Sequence, residues 1–445
     1  MSIKNLFILT LFLVSFTSVN SALADENSTL VYLYERALKY DAEYLQALSE
    51  HAASRETTHQ AWSRFLPQVS IGASHTHTLR ETLRSESLFY RLGLDSFRSK
   101  SRNISMSQSI FKVEDIHQLS LAKLEKKRAD VALLISKSEL ISRLLDRYFG
   151  TLGAEDAVSL AEKEVAAIKG QLENEKARFQ SQLGRKAEYL DVLSQYSLAE
   201  SNLLLAFNQR DDAIEFLEET SGFVPAKFKG LNELNIEVEH IFDEKHWEQL
   251  ALEFNLDLQQ ERINVEIAKK EVQKEGSTSL PTVEFVASRS VSDEAETDIG
   301  GGRKLDTEIA EIRFEMPLFQ GGYAVSRVRE LKQLHQAARD KLLATKRKVL
   351  RDTRVAHREM VSSVNRIEAL EQAVSAQALV VTTLRAGFPR LYTSVEVVEA
   401  ERDYFSAFRD LTEARYDYVL SMIKLKRTAG SLSDEDIKVV DTWLN

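Results

Sequence analysis

Two pairs of acidic residues are the groups in this chain best placed to do chemistry. Glu188 and Asp191 form one pair, and Glu396 and Glu399 form the other. Residues three apart in a helix share a face, so each pair presents two carboxylates together. Clustered carboxylates concentrate cations and supply the oxygen ligands that divalent ions prefer. A plainer role also fits, because acids in a first helical turn are favoured by the helix dipole and Thr393 stands at a capping-box spacing from Glu396.

Other arrangements that resemble reactive sites lack the partners they would need. His75 and His77 would share one strand face, but no third or fourth metal ligand accompanies them. The glycine run 300–302 lacks the strand-loop-helix context and the Lys-Ser/Thr of a phosphate-binding loop. No Ser-His-Asp arrangement has supporting sequence, and there is no cysteine. We predict no catalytic site, metal site or cofactor, a membrane-interface or loop position for the histidines, and a flexible loop for the glycines.

The composition and the N-terminus indicate an exported protein. The chain has 445 residues and a formal net charge of −10, which disfavours nucleic acid as a partner. Lys4 precedes an apolar run over residues 6–16 and a small-x-small cleavage site at 22–24, so residues 1–24 are predicted to be a signal peptide. The apolar run is shorter than the ~20 residues of a transmembrane helix.

Most of the mature chain has the pattern of long helices. No proline occurs from Tyr323 to Gly387, where apolar residues recur at three- and four-residue steps in a coiled-coil-like seam. A matching helix is predicted from Lys112 to about Leu183, weakened locally at Gly150 and Gly153. Shorter helices are predicted over residues 29–64, 187–219, 242–274 and 394–428.

Alternating apolar and polar residues predict strands near residues 69–74, 104–110, 283–287 and 310–316. Stretches of about ten residues suit tilted membrane-spanning strands. A half-buried sheet of a soluble domain has the same pattern, but export without a spanning helix favours a barrel. Four strands cannot close a barrel, and open edges in lipid leave backbone groups unpaired. Several protomers would therefore have to pool their strands.

The order of helices and strands is written twice along the chain. Pro67 recurs 214 positions later as Pro281, and Glu188 and Gly222 recur 208 positions later as Glu396 and Gly430. The change of offset follows the prolines, so Leu79–Arg102 and Ser292–Lys304 are predicted to be external loops. The predicted organisation is a first structural repeat over 25–222, a connection over 223–240, a second repeat over 241–430 and a C-terminal tail over 431–445.

Three segments carry a family pattern: Met316-Pro317-Leu318-Phe319-Gln320-Gly321-Gly322, Ala414–Tyr418 followed by Leu425–Leu432, and Ile104–Phe111. In these residues the chain resembles the TolC family of outer-membrane channel-tunnels. The resemblance implies a mainly α fold with a membrane β-barrel. Three protomers would each give four strands to one twelve-stranded barrel, continuous with a tunnel of long helices. It also implies an exit duct for type I secretion or efflux in the outer membrane, reaching into the periplasm, and no enzyme activity.

The resemblance further assigns roles to the two turns between long and short helices. The acids of the periplasmic aperture would be Glu188, Asp191, Glu396 and Glu399. The candidate gate links are Arg185, Arg390 and Tyr392, and the candidate adaptor contacts are Gly184, Lys186, Phe388 and Pro389. The family's glycine before the second acidic pair is missing here.

The implied partners are a periplasmic adaptor, an inner-membrane pump of the ABC or RND type, and outer-membrane lipid. The alternative hypothesis is a periplasmic coiled-coil adaptor or scaffold without a pore. Such a protein would need an inner-membrane anchor and small β-domains flanking one central hairpin, and neither is visible in the sequence.

Overall fold

The computed structural model describes residues 29–83, 93–231, 243–294, 302–388 and 390–444. In chain order its elements are α1 (Leu30–Tyr40), α2 (Ala42–Ser63), β1 (Gln68–Thr82), β2 (Gly93–Phe111), α3 (Val113–Gln180), α4 (Lys186–Ser221), α5 (Glu244–Phe254), α6 (Leu256–Ser277), β3 (Thr282–Glu294), β4 (Arg303–Glu315), α7 (Tyr323–Gly387), α8 (Ser394–Ala429) and α9 (Asp434–Thr442). The predicted signal peptide, half of the predicted connection (232–240), Gly300, Gly301 and Pro389 lie outside the described residues. Among the described residues, no helix has both the length and the apolarity needed to cross a bilayer.

Two predicted helices are each broken at an equivalent position of the two repeats. Asp41 separates α1 from α2, and Asn255 separates α5 from α6. The Asp41 side chain accepts the N–H of Tyr44 at 2.8 Å, and the Asn255 side chain accepts the N–H of Leu258 at 3.0 Å. Asp and Asn satisfy the free N–H groups of a new helix well, so each one starts a second helix. The single helices predicted in these two regions are therefore wrong.

Helices α3 and α7 run without interruption over 68 and 65 residues. The bounds of α7 are those predicted from the absence of proline. Helix α3 continues through Gly150 and Gly153, so the predicted weakening does not break it. A Cβ on Gly153 would meet the Tyr416 ring of α8 at 3.5 Å, an ordinary van der Waals distance, so the packing here does not require a glycine.

The four strands form one antiparallel sheet in the order β1-β2-β3-β4. The register places Val69 opposite Met106 and Phe285 opposite Ile312. Side chains that face each other across an antiparallel pair lie on the same face of the sheet. The apolar residues thus gather on one face as an apolar band, formed by Val69, Ile71, Ala73, Ile104, Met106, Val283, Phe285, Ala287, Ala310, Ile312 and Phe314.

The strands extend further than the alternating pattern predicts. Strand β1 reaches Thr82 and β2 begins at Gly93, so much of the predicted loop Leu79–Arg102 is strand. The predicted loop Ser292–Lys304 likewise loses both of its ends to β3 and β4. The loop assignment is wrong for these residues because pairing across the hairpins holds polar sequence in strands. His75 and His77 lie inside β1, not in a loop.

The described residues divide into two compact units. The sheet unit lies within Glu50–Asp130 and Gln260–Leu343. The helical unit draws on Met1–Ser49, Val131–Gln259 and Ala344–Asn445. The two predicted sequence repeats therefore each contribute to both units, because every half supplies two strands and the long helices that follow them.

Aromatic side chains fill the core of the helical unit. The Tyr148 ring lies edge-on to Phe149 at 5.6 Å and to Phe228 at 5.9 Å. Phe149 also contacts Tyr416 at 5.6 Å. The two contacts of Tyr148 are edge-on, and the planes of Phe149 and Tyr416 are tilted by 36°. The buried rings contribute a large apolar area, and the contact of Phe149 with Tyr416 packs α3 against α8.

Part of the predicted C-terminal tail is a helix that joins this core. Ser433 and Asp436 form a capping box at the start of α9. Ile437 and Val440 are buried among the aromatic and leucine side chains. The Tyr34 hydroxyl donates a hydrogen bond of 2.9 Å to a carboxylate oxygen of Asp434 at the first position of α9, which ties α1 to α9.

Candidate functional site at the helix tips

The first tip, residues 182–191, is a tight turn between α3 and α4. The N–H groups of Leu183 and Gly184 both donate to the Arg178 carbonyl, at 2.9 and 3.0 Å. A Cβ on Gly184 would lie 3.1 Å from the Arg178 Cβ, so the glycine lets the chain pass close to the end of α3. From the sequence, Gly184 is a candidate adaptor contact. In the structure its small size allows the tight turn after α3.

The first acidic pair lies at the start of α4. Arg185 is the N-cap residue but makes no side-chain cap hydrogen bond, and Lys186 is exposed. The Arg185 Nε lies 4.0 Å from Glu188 Oε1, and the arginine is 86% exposed, so this ion pair contributes little energy. Asp191 is open to solvent. The pair therefore presents negative charge at the tip, and Asp191 is the more exposed of the two.

In the second tip, residues 388–399, Glu396 closes a capping box. The Thr393 hydroxyl accepts the Glu396 N–H at 3.3 Å. Glu396 Oε2 accepts the Thr393 N–H at 2.7 Å and the Thr393 hydroxyl at 3.0 Å. These hydrogen bonds, chiefly the one from the backbone, lower the pKa of Glu396. The capping role is confirmed, and it keeps the exposed carboxylate ionised.

The remaining residues of the second tip are not joined into a gate within one chain. Glu399 and Arg390 are exposed, and neither side chain forms an ion pair or hydrogen bond with another described residue. The Tyr392 ring packs over the end of α7, where a Cβ on Gly387 would lie 2.6 Å from it. The predicted link residues therefore surround the turn without contacting the acidic pairs, apart from Arg185.

One cation–π contact joins the end of α3 to the second tip. The Arg178 guanidinium carbon lies 5.5 Å from the centroid of the Phe388 ring. The same guanidinium donates to Glu175 at 2.8 Å, and the Glu175 side chain is fully buried. Sequence reasoning misses this arrangement, although Glu175 follows Ile168 and Leu172 at the spacing of a buried helix face.

A second buried acid lies on α8. Arg385, near the end of α7, contacts Glu401 at 2.6 Å, and the Glu401 side chain is 2% exposed while Arg385 is 54% exposed. A buried charge is tolerated when it is paired, and removing its partner leaves an uncompensated ion. This pair therefore fixes α7 to α8 immediately behind the second tip.

Arg385→Ala is expected to destabilise the helical unit. A lone buried carboxylate costs about 3 kcal/mol, and because Arg385 is half exposed we expect a loss of about 2 kcal/mol in the free energy of unfolding. Urea unfolding in detergent measures it. Arg385→Lys should recover part of the loss, and adding Glu401→Gln to Arg385→Ala should recover most of it. An alanine variant as stable as the wild type would show that the pair has no structural role.

Buried apolar residues lie behind the acidic pairs. Val192 and Ala199 of α4 pack with Ile168 of α3 and Val398 of α8. Asp191 directly precedes and Glu399 directly follows a member of this cluster in sequence, so their side chains lie on neighbouring helix faces that are exposed. The cluster sets which faces of α4 and α8 carry the negative charge.

Helix α3 also carries half-buried acids far from the tips. Burial raises the pKa of Asp156, against the opposing effect of a hydrogen bond of 2.5 Å from the Tyr416 hydroxyl. Burial also raises the pKa of Glu155 and of Glu164. A carboxyl with a raised folded pKa binds its proton more tightly in the native state. The native state thus loses stability as pH rises from the unfolded value of 3.8 through the raised folded pKa of Asp156.

Asp156→Asn is therefore expected to remove part of this pH dependence. The amide oxygen can still accept from Tyr416, and it carries no charge to desolvate. Relative to the wild type, the variant should gain thermal stability between about pH 4 and about pH 7. Melting temperatures at the two pH values measure this, with Asp212→Asn on an exposed surface as the control. A difference between variant and wild type that stays constant with pH would contradict the assignment.

The helical unit also contains a groove of about 1000 Å³ between α3, α7 and α8. Its charged lining is largely paired, with Arg427 bound to Glu139 at 3.0 Å and Lys424 to Glu359 at 2.6 Å. No group of three or more metal-binding side chains occurs in the part of the chain that the structure describes. Most charged side chains that line the groove are therefore already neutralised by a partner of opposite charge.

The sequence and the fold match a known family. The family model for outer membrane efflux proteins matches residues 33–222 and 247–431, which is most of the chain and both repeats. The chain belongs to the outer membrane efflux protein family. As a member of this family it is an outer-membrane exit duct that extends into the periplasm.

Individual family members are similar along almost their whole length. The chain is 25% identical to the outer membrane protein TolC of Escherichia coli K12 over 443 residues, covering 97% of this chain and 87% of TolC. It is 26% identical over 420 residues to the alkaline protease secretion protein AprF of Pseudomonas aeruginosa, covering 92% of this chain and 85% of AprF. The crystal structure of the Campylobacter jejuni CmeC outer membrane channel matches with a TM-score of 0.79 at 12% identity, covering 94% of this chain and 90% of CmeC.

Proposed function

We propose that three copies of the chain assemble into one channel that carries cargo out of the periplasm. The open sheet carries this proposal. Strands β1 and β4 are its two edges, 15 and 13 residues long, and neither edge has a partner strand within the described chain. An unpaired edge in lipid leaves each backbone group without a hydrogen bond, at several kcal/mol apiece. Pairing β4 of one copy with β1 of the next removes every edge.

The apolar band supports the same assembly. Ile71 is 86% exposed and Ile312 is 70% exposed, so this face of the sheet is uncovered in a single chain. Exposed apolar surface of this extent marks a membrane or protein contact. A closed twelve-stranded barrel, four strands from each of three protomers, would turn the band toward lipid and the polar face toward a water-filled lumen.

The tips would form the periplasmic aperture of the channel. Glu188 and Glu396 lie in the first turns of α4 and α8, and Asp191 and Glu399 lie in the second turns. A threefold assembly would bring twelve such carboxylates around one axis. Arg185, Arg390 and Tyr392 would then link neighbouring protomers, which agrees with the absence of a gate link from Arg390 inside the described chain. The aperture would be narrow and selective for cations.

The tips would also receive a periplasmic adaptor. Leu183 and Leu391 are 76% and 78% exposed at the two turns, beside Gly184, Lys186 and Phe388. Exposed leucines on a tight turn suit an apolar contact with a partner helix. The adaptor would connect the duct to an inner-membrane pump of the ABC or RND type. The name of AprF, a protease secretion protein, supports a secretion role, and the description of the family as efflux proteins supports an efflux role.

Membrane fractionation and solution mass test the proposal together. The protein should remain in the outer-membrane fraction after an alkaline carbonate wash. In detergent its protein mass should be three times that of one chain, and the reconstituted complex should conduct ions. Release by the wash would support the alternative of a periplasmic scaffold. A monomer mass with stable membrane insertion would contradict the shared barrel.

A further inference from the structure

A row of cations lies on the sheet face that carries the apolar band. Arg98, Lys100 and Arg102 are two residues apart on β2, so their side chains share one face. All three are exposed. His77 lies directly opposite Arg98 and His75 directly opposite Lys100 on β1. We call Arg98, Lys100 and Arg102 the cationic ladder.

The cationic ladder begins where the apolar band ends. Arg102 pairs with Ala73, the last apolar residue of the band on β1, and the next pair along this face is Ile104 with Ile71. The long helices join the sheet at the opposite end of the strands. Since the chain extends from the outer membrane into the periplasm, the ladder lies at the side of the sheet away from the periplasm.

Among the residues that the structure describes, none compensates the charges of the ladder. None of the three forms an ion pair or a hydrogen bond through its side chain with another described residue. Asp293 lies opposite Lys100 in the register of β2 and β3 but makes no ion pair with it. On the second hairpin, by contrast, Arg289 of the same face binds Asp306 at 2.7 Å and Glu308 at 3.2 Å. The hairpin β1–β2 and the hairpin β3–β4 occupy equivalent positions in the two repeats, but Arg289 has acidic partners and the three cations of the ladder have none among the described residues.

We propose that the cationic ladder binds the phosphate groups of a phosphorylated lipid of the outer leaflet. The acyl chains of the lipid would lie over the apolar band, and its phosphates would meet the cations at the band's edge. Arginine and lysine donate strong charge-assisted hydrogen bonds to phosphate oxygens. Alternate residues on a strand are about 7 Å apart, so a headgroup with two phosphates could contact two rungs at once.

The apolar band and the cationic ladder adjoin on one face of the sheet, and this arrangement favours a lipid over other anions as the ligand. Cations that only face water need no apolar surface beside them. An acidic protein would bind the cations without needing an apolar surface for acyl chains. An amphiphile requires both surfaces in contact on one face, as they are here. The histidines add hydrogen-bond donors beside the ladder, and His77 already contacts the Ser96 hydroxyl at 2.9 Å. This inference concerns lipid binding and goes beyond the proposed duct.

The test measures lipid retained by the purified full-length protein. The protein would be reconstituted with lipid A carrying two phosphates, with the same lipid after enzymatic removal of the phosphates, or with inorganic phosphate alone. Each basic residue near a charged lipid surface adds about 1 kcal/mol, so Arg98→Gln with Arg102→Gln should weaken retention of lipid A roughly thirty-fold. Arg98→Lys with Arg102→Lys should retain most of it.

Arg303→Gln with Arg313→Gln is the matched control, since it removes two cations from the opposite face of the sheet. It should leave lipid retention unchanged. Channel conductance and solution mass of every variant report separately on the proposed duct, so a failed channel would be distinguished from a failure to bind lipid. The proposal is overturned if the Arg98/Arg102 glutamine variant retains lipid A like the wild type, if the dephosphorylated lipid is retained equally, or if inorganic phosphate alone competes fully with lipid A.

Discussion

Ile312→Arg is expected to prevent stable insertion of the protein into the outer membrane. Ile312 is 70% exposed in the middle of the apolar stretch of β4, opposite Phe285. An arginine on the lipid face of a membrane strand costs about 2–4 kcal/mol near the bilayer midplane. Three copies would each bear that cost in one assembly. The yield of trimer that remains in the membrane after a carbonate wash measures the effect.

Glu311→Arg supplies the matched control one residue away. It introduces the same side chain on the other face of β4, where Arg313 already lies. We expect trimer yield close to that of the wild type, because the ion pair between Glu311 and Arg313 is exposed to solvent and contributes little energy. If both variants insert equally well, or both fail equally, the apolar band does not face lipid and the barrel is not formed as proposed.

Glu396→Gln combined with Glu399→Gln is expected to reduce strongly the cation selectivity of the reconstituted channel. The change removes six charges from a trimer, two from each chain, while keeping the size of the side chains. A ring of carboxylates concentrates cations and binds divalent ions, so the block of the current by divalent ions from the periplasmic side should also weaken when half of the ring is removed. Reversal potentials in a salt gradient across a planar bilayer measure the selectivity.

The capping box makes this experiment interpretable. Glutamine keeps an oxygen that can accept the Thr393 N–H, as Glu396 does at 2.7 Å, so α8 should still begin at Ser394. Asp212→Asn with Glu413→Gln removes the same number of exposed charges elsewhere on α4 and α8 and should leave selectivity unchanged. Unaltered selectivity in the tip variant, with a stable trimer, would mean that these glutamates act only as helix caps.

The sequence predicts helices best where one local signal decides the outcome. The predicted bounds of α7 are correct because no proline interrupts Tyr323–Gly387 and a regular apolar seam fills it. The breaks at Asp41 and Asn255 escape prediction because the apolar periodicity continues past them. The two residues occupy equivalent positions in the repeats, and both are strong N-cap types, so that combination is the signal that reveals the breaks.

The strand ends could not be predicted from local pattern. Strand β2 begins at Gly93, and its outer half carries Ser, Lys, Arg and Asn without apolar alternation. Pairing with β1, residue by residue from Arg102 outward, keeps this part extended. Tertiary hydrogen bonding thus overrides the side-chain pattern, and the same pairing places the cationic ladder on the face of the apolar band.

At the tips the sequence identifies the exposed acidic pairs but not the buried ion pairs that lie behind them. The acidic pairs and the capping box are recognisable from spacing alone. The buried Glu175 and Glu401, with Arg178 and Arg385 as their partners, are not, because charged residues on long helices are mostly solvated. Their spacing relative to apolar neighbours on the same helix is the available signal.

A threefold pore whose aperture is lined by the acidic tips is the central claim. Because the chain has no cysteine, an introduced cysteine is the one thiol in each protomer and can be labelled selectively. A single Glu399→Cys variant would be reconstituted in a planar bilayer and exposed from the helical side to a bulky cationic thiol reagent. A threefold pore closed by these tips predicts that the current of one channel falls in up to three discrete steps, while Glu435→Cys on α9 gives none. An unchanged current, with labelling of the thiol verified, would contradict a pore whose aperture is lined by these acids.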